Sequence, residues 1–290
     1  MKSSYLIWST FLIASLSMNG LCVRALALAA VPYYDSLSSR GWVCLLLVVF
    51  FSFQQRLSLR PKSIRTQVLR AGLAGLALSL FTLSYKWLTA SSIAVLSNID
   101  VPLLMVLGPL VGIRCSLKTK VLSLIAMALL VFYVLSMDTQ PKLYLGIGTL
   151  GVGCLLLCFG YYFIKRSMQE ENEAVAILTP ALAILFFGIV QHLYAGSSGP
   201  AWTWPMVCEA FLAGVGMFGA YYATMRLYAL TDLAKAEFPT LISSLIMQPL
   251  EFIFLNTPME AACLFSSAAF VWVIYQVLFS QNKSEAVAHG

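Results

Sequence analysis

Residues 121–134 read VLSLIAMALLVFYV, and this unbroken apolar run decides the class of fold. The run lacks the alternation of polar and apolar residues that marks a strand of a membrane barrel, so it predicts a helix. At a rise of about 1.5 Å per residue, about 20 such residues cross the ~30 Å hydrocarbon core of a bilayer. Runs of similar length fill the chain, and the ten predicted spans are 5–30, 33–53, 69–86, 90–111, 120–137, 143–164, 174–194, 206–228, 233–255 and 259–279.

The composition agrees with a membrane protein. Of 290 residues, 60% are hydrophobic and only 10% are charged, so the chain has too few polar residues to cover a water-exposed surface. Ten spans leave almost no residues for an aqueous domain. We therefore predict an all-α membrane protein with ten transmembrane helices.

The basic residues predict the orientation of the chain. With the N-terminus inside, most of the 18 lysines and arginines fall in short loops on the cytoplasmic side, as the positive-inside rule requires. Both termini are then cytoplasmic, in the cytoplasmic (inner) membrane. The net charge of +6 is thus a topology signal, and it does not indicate a nucleic-acid partner.

The two halves of the chain resemble each other. A constant offset places Ala71-Gly72 on Ala213-Gly214 and Met105 on Met247, and it superposes the spans of one half on those of the other. Because five is an odd number of crossings, the second copy is inverted in the membrane. We predict a first five-helix repeat over 1–138, an inverted repeat over 139–282, and a cytoplasmic tail over 283–290.

Short motifs add a family resemblance. The stretch Leu88–Ala94, Pro102, Arg40 and the stretch Thr257–Glu260 resemble the drug/metabolite transporter superfamily, EamA-like family. The resemblance implies a ten-helix secondary carrier of small metabolites. It departs from the family pattern after the fourth helix, where Arg114 or Cys115 replaces the usual acidic residue.

Asp100 is the first candidate for a functional residue. A carboxylate in the middle of the fourth span is costly unless it is paired, protonated or facing a cavity. Pro102 removes a backbone donor and frees a carbonyl one turn earlier, which makes this span bendable. A substrate-binding or proton-coupling role stands beside a structural ion pair, for example with Arg40.

Four further residues complete the predicted substrate site. Arg40 and Arg24 lie in the outer thirds of their spans, where a guanidinium suits a carboxylate or phosphate, or extends to lipid headgroups. Asn98 lies close to Asp100 in sequence. Tyr222 combines an apolar ring with a hydroxyl that a cavity could use.

The second half contributes predicted gating and hinge residues. Lys235 and Glu237 precede Pro239 near the cytoplasmic end of the ninth span and are candidates for a gating ion pair. Pro249 is a second hinge candidate in this span, after Pro102 in the fourth. Glu251 follows Pro249 and is a candidate partner for Arg24.

Enzymatic chemistry is not indicated. The 2 histidines and 7 cysteines have no metal-ligand spacing, so no metal or cofactor is expected. Two dinucleotide-like glycine patterns, which begin at Gly146 and Gly214, lie inside spans and predict close helix packing. The acidic stretch 170–173 is interpreted as a solvated linker.

The favoured function is alternating-access transport of a small polar organic metabolite, such as an amino acid or an amino-acid- or nucleoside-derived compound. An importer or exchanger of the S-adenosylmethionine type is an alternative within this class. A non-transporting membrane scaffold or assembly factor is the alternative from another class. The expected partners are the substrate and the lipid bilayer, and the sequence is compatible with proton coupling and with a homodimer.

Overall fold

The computed structural model describes residues 2–107, 116–136, 141–196, 200–231, 233–259 and 261–288. This part of the chain is helical. The helices are α1 (Lys2–Leu28), α2 (Tyr33–Gln55), α3 (Ile64–Ser84), α4 (Ala90–Ser97), α5 (Asp100–Leu107), α6 (Leu117–Ser136), α7 (Pro141–Glu170), α8 (Glu173–Ala195), α9 (Trp204–Leu230), α10 (Leu233–Leu255) and α11 (Ala261–Ala288).

The helices form a multi-pass membrane bundle. In the described residues, 8 helices are long and apolar enough to cross a bilayer, and two shorter apolar helical segments lie at Ala90–Leu103 and Ala261–Val277. Large apolar side chains face outward, including Phe53 at 86% exposure and Phe265 at 76%. Such a surface is costly in water and matches the hydrocarbon of a membrane. The prediction of an all-helical membrane protein is confirmed.

Several helix starts follow from local sequence. Ser63, Thr89 and Asn172 are N-caps whose side chains accept a hydrogen bond from the backbone N–H three residues later. These caps satisfy donors that the first helical turn leaves free. They therefore begin α3, α4 and α8 at defined residues, although the surrounding composition is almost uniformly apolar.

Most helix contacts in the bundle join a helix from the first half of the chain to one from the second half. Helix α1 packs against α9 and α10, while α3 packs against α7 and α8. Helix α2 packs against α8 and α9, α4 packs against α10 and α7, and α6 packs against α11. At the α2–α8 contact the backbones approach closely, because a Cβ on Gly41 would lie 2.8 Å from the Leu185 nitrogen and one on Gly188 would lie 2.7 Å from the Ser38 nitrogen.

The fourth predicted span is broken in the structure. Helix α4 ends at Ser97, Asn98 follows with φ −71° and ψ 3°, and α5 begins at Asp100. Pro102 explains the position of the break, because its missing N–H would have bonded the Asn98 carbonyl in a continuous helix. The single bent helix expected over 90–111 is therefore two short helices, while residues 108–115 lie outside the described part of the chain.

Candidate functional site

The break in the fourth span opens onto a cavity inside the bundle. The cavity measures about 140 Å³ and receives residues from α3, α4, α5, α7 and α10. Its lining residues are Phe81, Ser97, Asn98, Asp100, Val101, Leu157, Thr240 and Leu241. Two of the predicted substrate residues, Asp100 and Asn98, are thus brought to one cavity.

Side chains from neighbouring helices satisfy the polar groups at the break. The Asn98 amide donates to the Ala94 carbonyl at 2.7 Å and to the Ser244 hydroxyl of α10 at 3.4 Å. On α7, the Cys154 and Cys158 thiols approach the carbonyls of Ser97 and Asp100 at 3.8 and 3.7 Å. The break is therefore a polar point inside an apolar bundle, held from two sides.

Arg40 is 4% exposed and is not among the residues that line the Asp100 cavity. Its Nε donates to the Ser36 carbonyl at 3.1 Å, one terminal nitrogen donates to the Asn19 side chain at 3.4 Å, and the other donates to the Thr82 hydroxyl. Among the described residues these acceptors are all neutral. The ion pair with Asp100 that the sequence suggested is not among the contacts of Arg40.

Arg24 and Glu251 form the ion pair that the sequence suggested. The Arg24 Nε lies 4.0 Å from a Glu251 carboxylate oxygen, and Nη1 donates to the Tyr85 carbonyl at 2.5 Å. The Glu251 carboxylate is 1% exposed and accepts from the Ala90 N–H at 2.8 Å and from the Ser91 N–H at 2.9 Å. Glu251 thereby joins α10 to the first turn of α4 and to α1.

A second cavity of about 190 Å³ lies beside Glu251, at the predicted outer end of the bundle. Its lining combines polar side chains with apolar ones from several helix ends. The lining residues are Trp87, Thr89, Ser91, Ser92, Tyr133, Leu143, Gln248, Glu251, Thr257, Pro258, Met259 and Cys263.

Tyr222 lies in an aromatic cluster that is separate from both cavities. Its hydroxyl accepts from Arg226 at 2.9 and 3.2 Å, and its ring contacts Trp8 and Phe51. Arg226 also pairs with Glu173 at 3.2 Å. Tyr222 is thus not among the residues that line the Asp100 cavity, and its grouping with Asp100 in one site stays a prediction.

The predicted gating and hinge residues lie on α10. The side chains of Lys235 and Glu237 lie outside the described residues, so their ion pair stays a prediction. Pro239 is buried and Pro249 is exposed, and α10 runs without a break through both. Of the three predicted hinge prolines, Pro102 is the one that lies beside a helix break.

The linker between the halves is more ordered than the sequence indicated. Glu171 accepts from the backbone N–H groups of Lys62 and Ser63 at 2.9 and 3.2 Å, and Asn172 caps α8. Glu171 and Asn172 thus remain a short connection between α7 and α8, held by hydrogen bonds that are exposed to solvent. A capping residue before α8 was readable from the sequence, but the reach of Glu171 to α3 was not, because it depends on tertiary packing.

Comparison with known proteins shows that other proteins share this fold, but it does not indicate a function. A solved crystal structure aligns with this chain at a TM-score of 0.68, covering 98% of this chain and 99% of the other at 14% sequence identity. It is one of 27 solved chains that match. At this identity the likeness shows a shared fold alone. No protein-family model matches the chain, and no curated protein matches it.

Proposed function

We propose that this protein is an alternating-access carrier of a small polar organic metabolite, with its central site at the Asp100 cavity. The observation that carries the proposal is the break of the fourth span beside a carboxylate that lines a cavity within the bundle. Discontinuous helices at an internal cavity are how many secondary transporters form their sites. An ionisable residue within a span costs free energy because it is removed from water, and a role in binding the transported substrate would explain why it is kept.

The helix packing supports two inverted five-helix repeats. In the proposed repeat, α1 corresponds to α7, α2 to α8, α3 to α9, α4 with α5 to α10, and α6 to α11. Exchanging these partners turns the α1–α9 contact into α7–α3, the α2–α9 contact into α8–α3, and the α1–α10 contact into α7–α4, all of which occur. Such exchange symmetry is expected of repeats that rock about a shared centre.

Arg40 favours a substrate that carries a negative group as well as polar ones. Among the described residues Arg40 has only neutral acceptors, and a buried guanidinium without an opposite charge beside it keeps most of its desolvation cost. A carboxylate or phosphate on the substrate would supply that charge with bidentate geometry. Together with Asp100, this fits an amino acid or an amino-acid- or nucleoside-derived compound.

The same features fit the family resemblance of the sequence, and we propose membership of the EamA-like family of drug/metabolite transporters. An importer or exchanger of the S-adenosylmethionine type remains the alternative within this class. A non-transporting scaffold is less favoured, because a scaffold has no evident use for the buried Arg40 or for the Asp100 cavity. We also propose that both termini are cytoplasmic.

Counterflow in proteoliposomes tests the proposal. Purified protein is reconstituted and assayed with a panel of labelled amino acids, their derivatives and nucleosides. We expect exchange of at least one compound, and Asp100→Asn should lower it by at least about tenfold, because one charge-assisted hydrogen bond is worth roughly 1.5–3 kcal/mol.

The matched control is Asp35→Asn, which makes the same chemical change. Asp35 lies at the start of α2, where it pairs with His192 at 2.7 Å and is not among the residues lining the central cavity. Its variant should exchange substrate at close to the wild-type rate. No flux for any compound, or equal flux in wild type and Asp100→Asn, would contradict the proposed function.

A further inference from the structure

We infer that Glu251 is the clamp of an outer gate, which closes the seam between α4 and α10. The inference rests on the proposed function, because a seam that parts serves alternating access. The clamp consists of the Glu251 carboxylate on the Ala90 and Ser91 N–H groups, with Arg24 beside it. None of these contacts belongs to the central Asp100 cavity.

The seam has three layers along its length. At its outer end is the clamp itself, which borders the outer cavity. Below the clamp, Ile93 and Leu96 of α4 and Met247 of α10 belong to one buried apolar cluster. At its inner end, Asn98 bonds Ser244 beside the central cavity. Apolar side chains therefore separate the two cavities, and the clamp holds that barrier shut.

The chemistry of the clamp suits a contact that must both hold and release. The first turn of α4 presents free N–H groups and the positive end of its dipole, so a carboxylate binds there favourably. When the clamp opens into the outer cavity, water can bond the same N–H groups and the carboxylate. A polar clamp of this kind costs little net free energy to open, because protein hydrogen bonds are exchanged for water ones.

The clamp joins the two halves of the chain. Arg24 and α4 belong to the first half and Glu251 to the second. Movement of one half against the other on the outer side must therefore break the clamp. The Arg24 contact to the Tyr85 carbonyl keeps the guanidinium near the carboxylate, while its Nε has no hydrogen-bond partner among the described residues. Because Arg24 Nε bonds no other described group, its contact with the Glu251 carboxylate can break without breaking a further hydrogen bond at that nitrogen.

Site-directed labelling tests the gate without any substrate. Ser244 has 0% exposure and lies at the inner end of the seam, so Ser244→Cys reports opening from the outside. Intact cells are treated with a membrane-impermeant maleimide, and labelling of residue 244 is read by peptide mass spectrometry. In a fast opening equilibrium, the labelling rate follows the open population.

Glu251→Gln should raise the labelling rate of residue 244 by roughly 10- to 100-fold. The amide keeps one neutral acceptor oxygen and replaces the other with a donor, so one α4 N–H loses its acceptor and the other keeps an uncharged one. Glu209→Gln is the matched control, because Glu209 lies in α9 and is not part of the seam. The labelling rate of residue 244 should then stay within about twofold of that in the Ser244→Cys parent, in keeping with the partly exposed side chain of Glu209.

Glu251→Asp provides a second variant if Glu251→Gln fails to fold. It keeps the charge but is one methylene too short to bond both N–H groups, so a smaller increase in labelling is expected. Equal labelling in the Ser244→Cys protein with Glu251 intact and in both Glu251 variants made on it would overturn the gate while counterflow in the wild type still supported the carrier. Increased labelling with no counterflow would support the clamp and overturn the carrier.

Discussion

At the scale of single residues, the charged side chains in the spans differ by their partners. Arg24 has a carboxylate beside it, and Arg226 has Glu173 at 3.2 Å. Arg40 is more deeply buried than either, yet it bonds only neutral oxygens among the described residues. This contrast is the reason that we propose Arg40 as the arginine that binds a negative group of the ligand.

Substitution of Arg40 should therefore affect exchange more than folding. We expect Arg40→Gln to lower counterflow of an anionic or zwitterionic substrate by roughly 10- to 100-fold, because a charge-assisted contact is lost. Arg40→Lys should be less impaired, since it keeps the charge but not the bidentate geometry. Arg60→Gln, an exposed loop change, is the control and should match wild type. Full exchange by Arg40→Gln would remove Arg40 from the site.

At the scale of helices, glycines set how closely α2 and α8 approach each other. Helices α2 and α8 approach until Gly41 faces the backbone of Leu185 and Gly188 faces the backbone of Ser38. Backbone atoms cannot move aside as a flexible side chain can, so a methyl group at either glycine forces the helices apart. Gly148 on α7 has no atom within 4 Å of its Cβ position.

Paired glycine variants test this packing. Gly41→Ala should destabilise the protein by roughly 1–3 kcal/mol through overpacking. Gly148→Ala should be neutral or stabilising by up to about 1 kcal/mol, because alanine favours a helix and meets open space. The stability of both variants is measured in detergent by heating the protein and recording the fraction that stays monodisperse. A Gly41→Ala protein as stable as Gly148→Ala would contradict the close approach.

At the scale of the whole molecule, the contacts connect the two halves throughout. Helix α1 packs on α9, α3 on α7, and α6 on α11, so neither half forms a separate body. If the halves are inverted repeats, as we propose, an even number of crossings brings both termini to the same side. The excess of basic residues in alternate loops predicts that this side is the cytoplasm.

Reporter fusions test the predicted topology. A green fluorescent protein at either terminus should be fluorescent, and an alkaline phosphatase at either terminus should be inactive, because both termini are expected inside. A phosphatase fused after Ala201, in the predicted outer loop, should be active and serves as the positive control. Termini on opposite sides would imply an odd number of spans and would contradict the ten-span arrangement.

The sequence predicted much of the fold and part of the candidate site. The starts of α2, α4, α8 and α10 agree closely with the predicted spans, since long apolar runs leave a chain in lipid no alternative to helix. The Arg24–Glu251 pair was also readable, because both charges lie near the outer ends of their spans. Neither Tyr222 nor Arg40 is among the residues that line the Asp100 cavity, so their grouping with Asp100 stays a prediction. Hydropathy does not tell which helices are neighbours.

By itself, the sequence determined that the chain crosses a membrane many times as helices, because about 20 apolar residues in a row have one stable form in a bilayer. VLSLIAMALLVFYV, the run at 121–134, is such a stretch and lies in α6. Only the tertiary structure decided where α4 ends, which carbonyls the break exposes, and that Glu251 binds the first turn of α4. Those contacts join residues far apart in the chain, and packing between helices selects them.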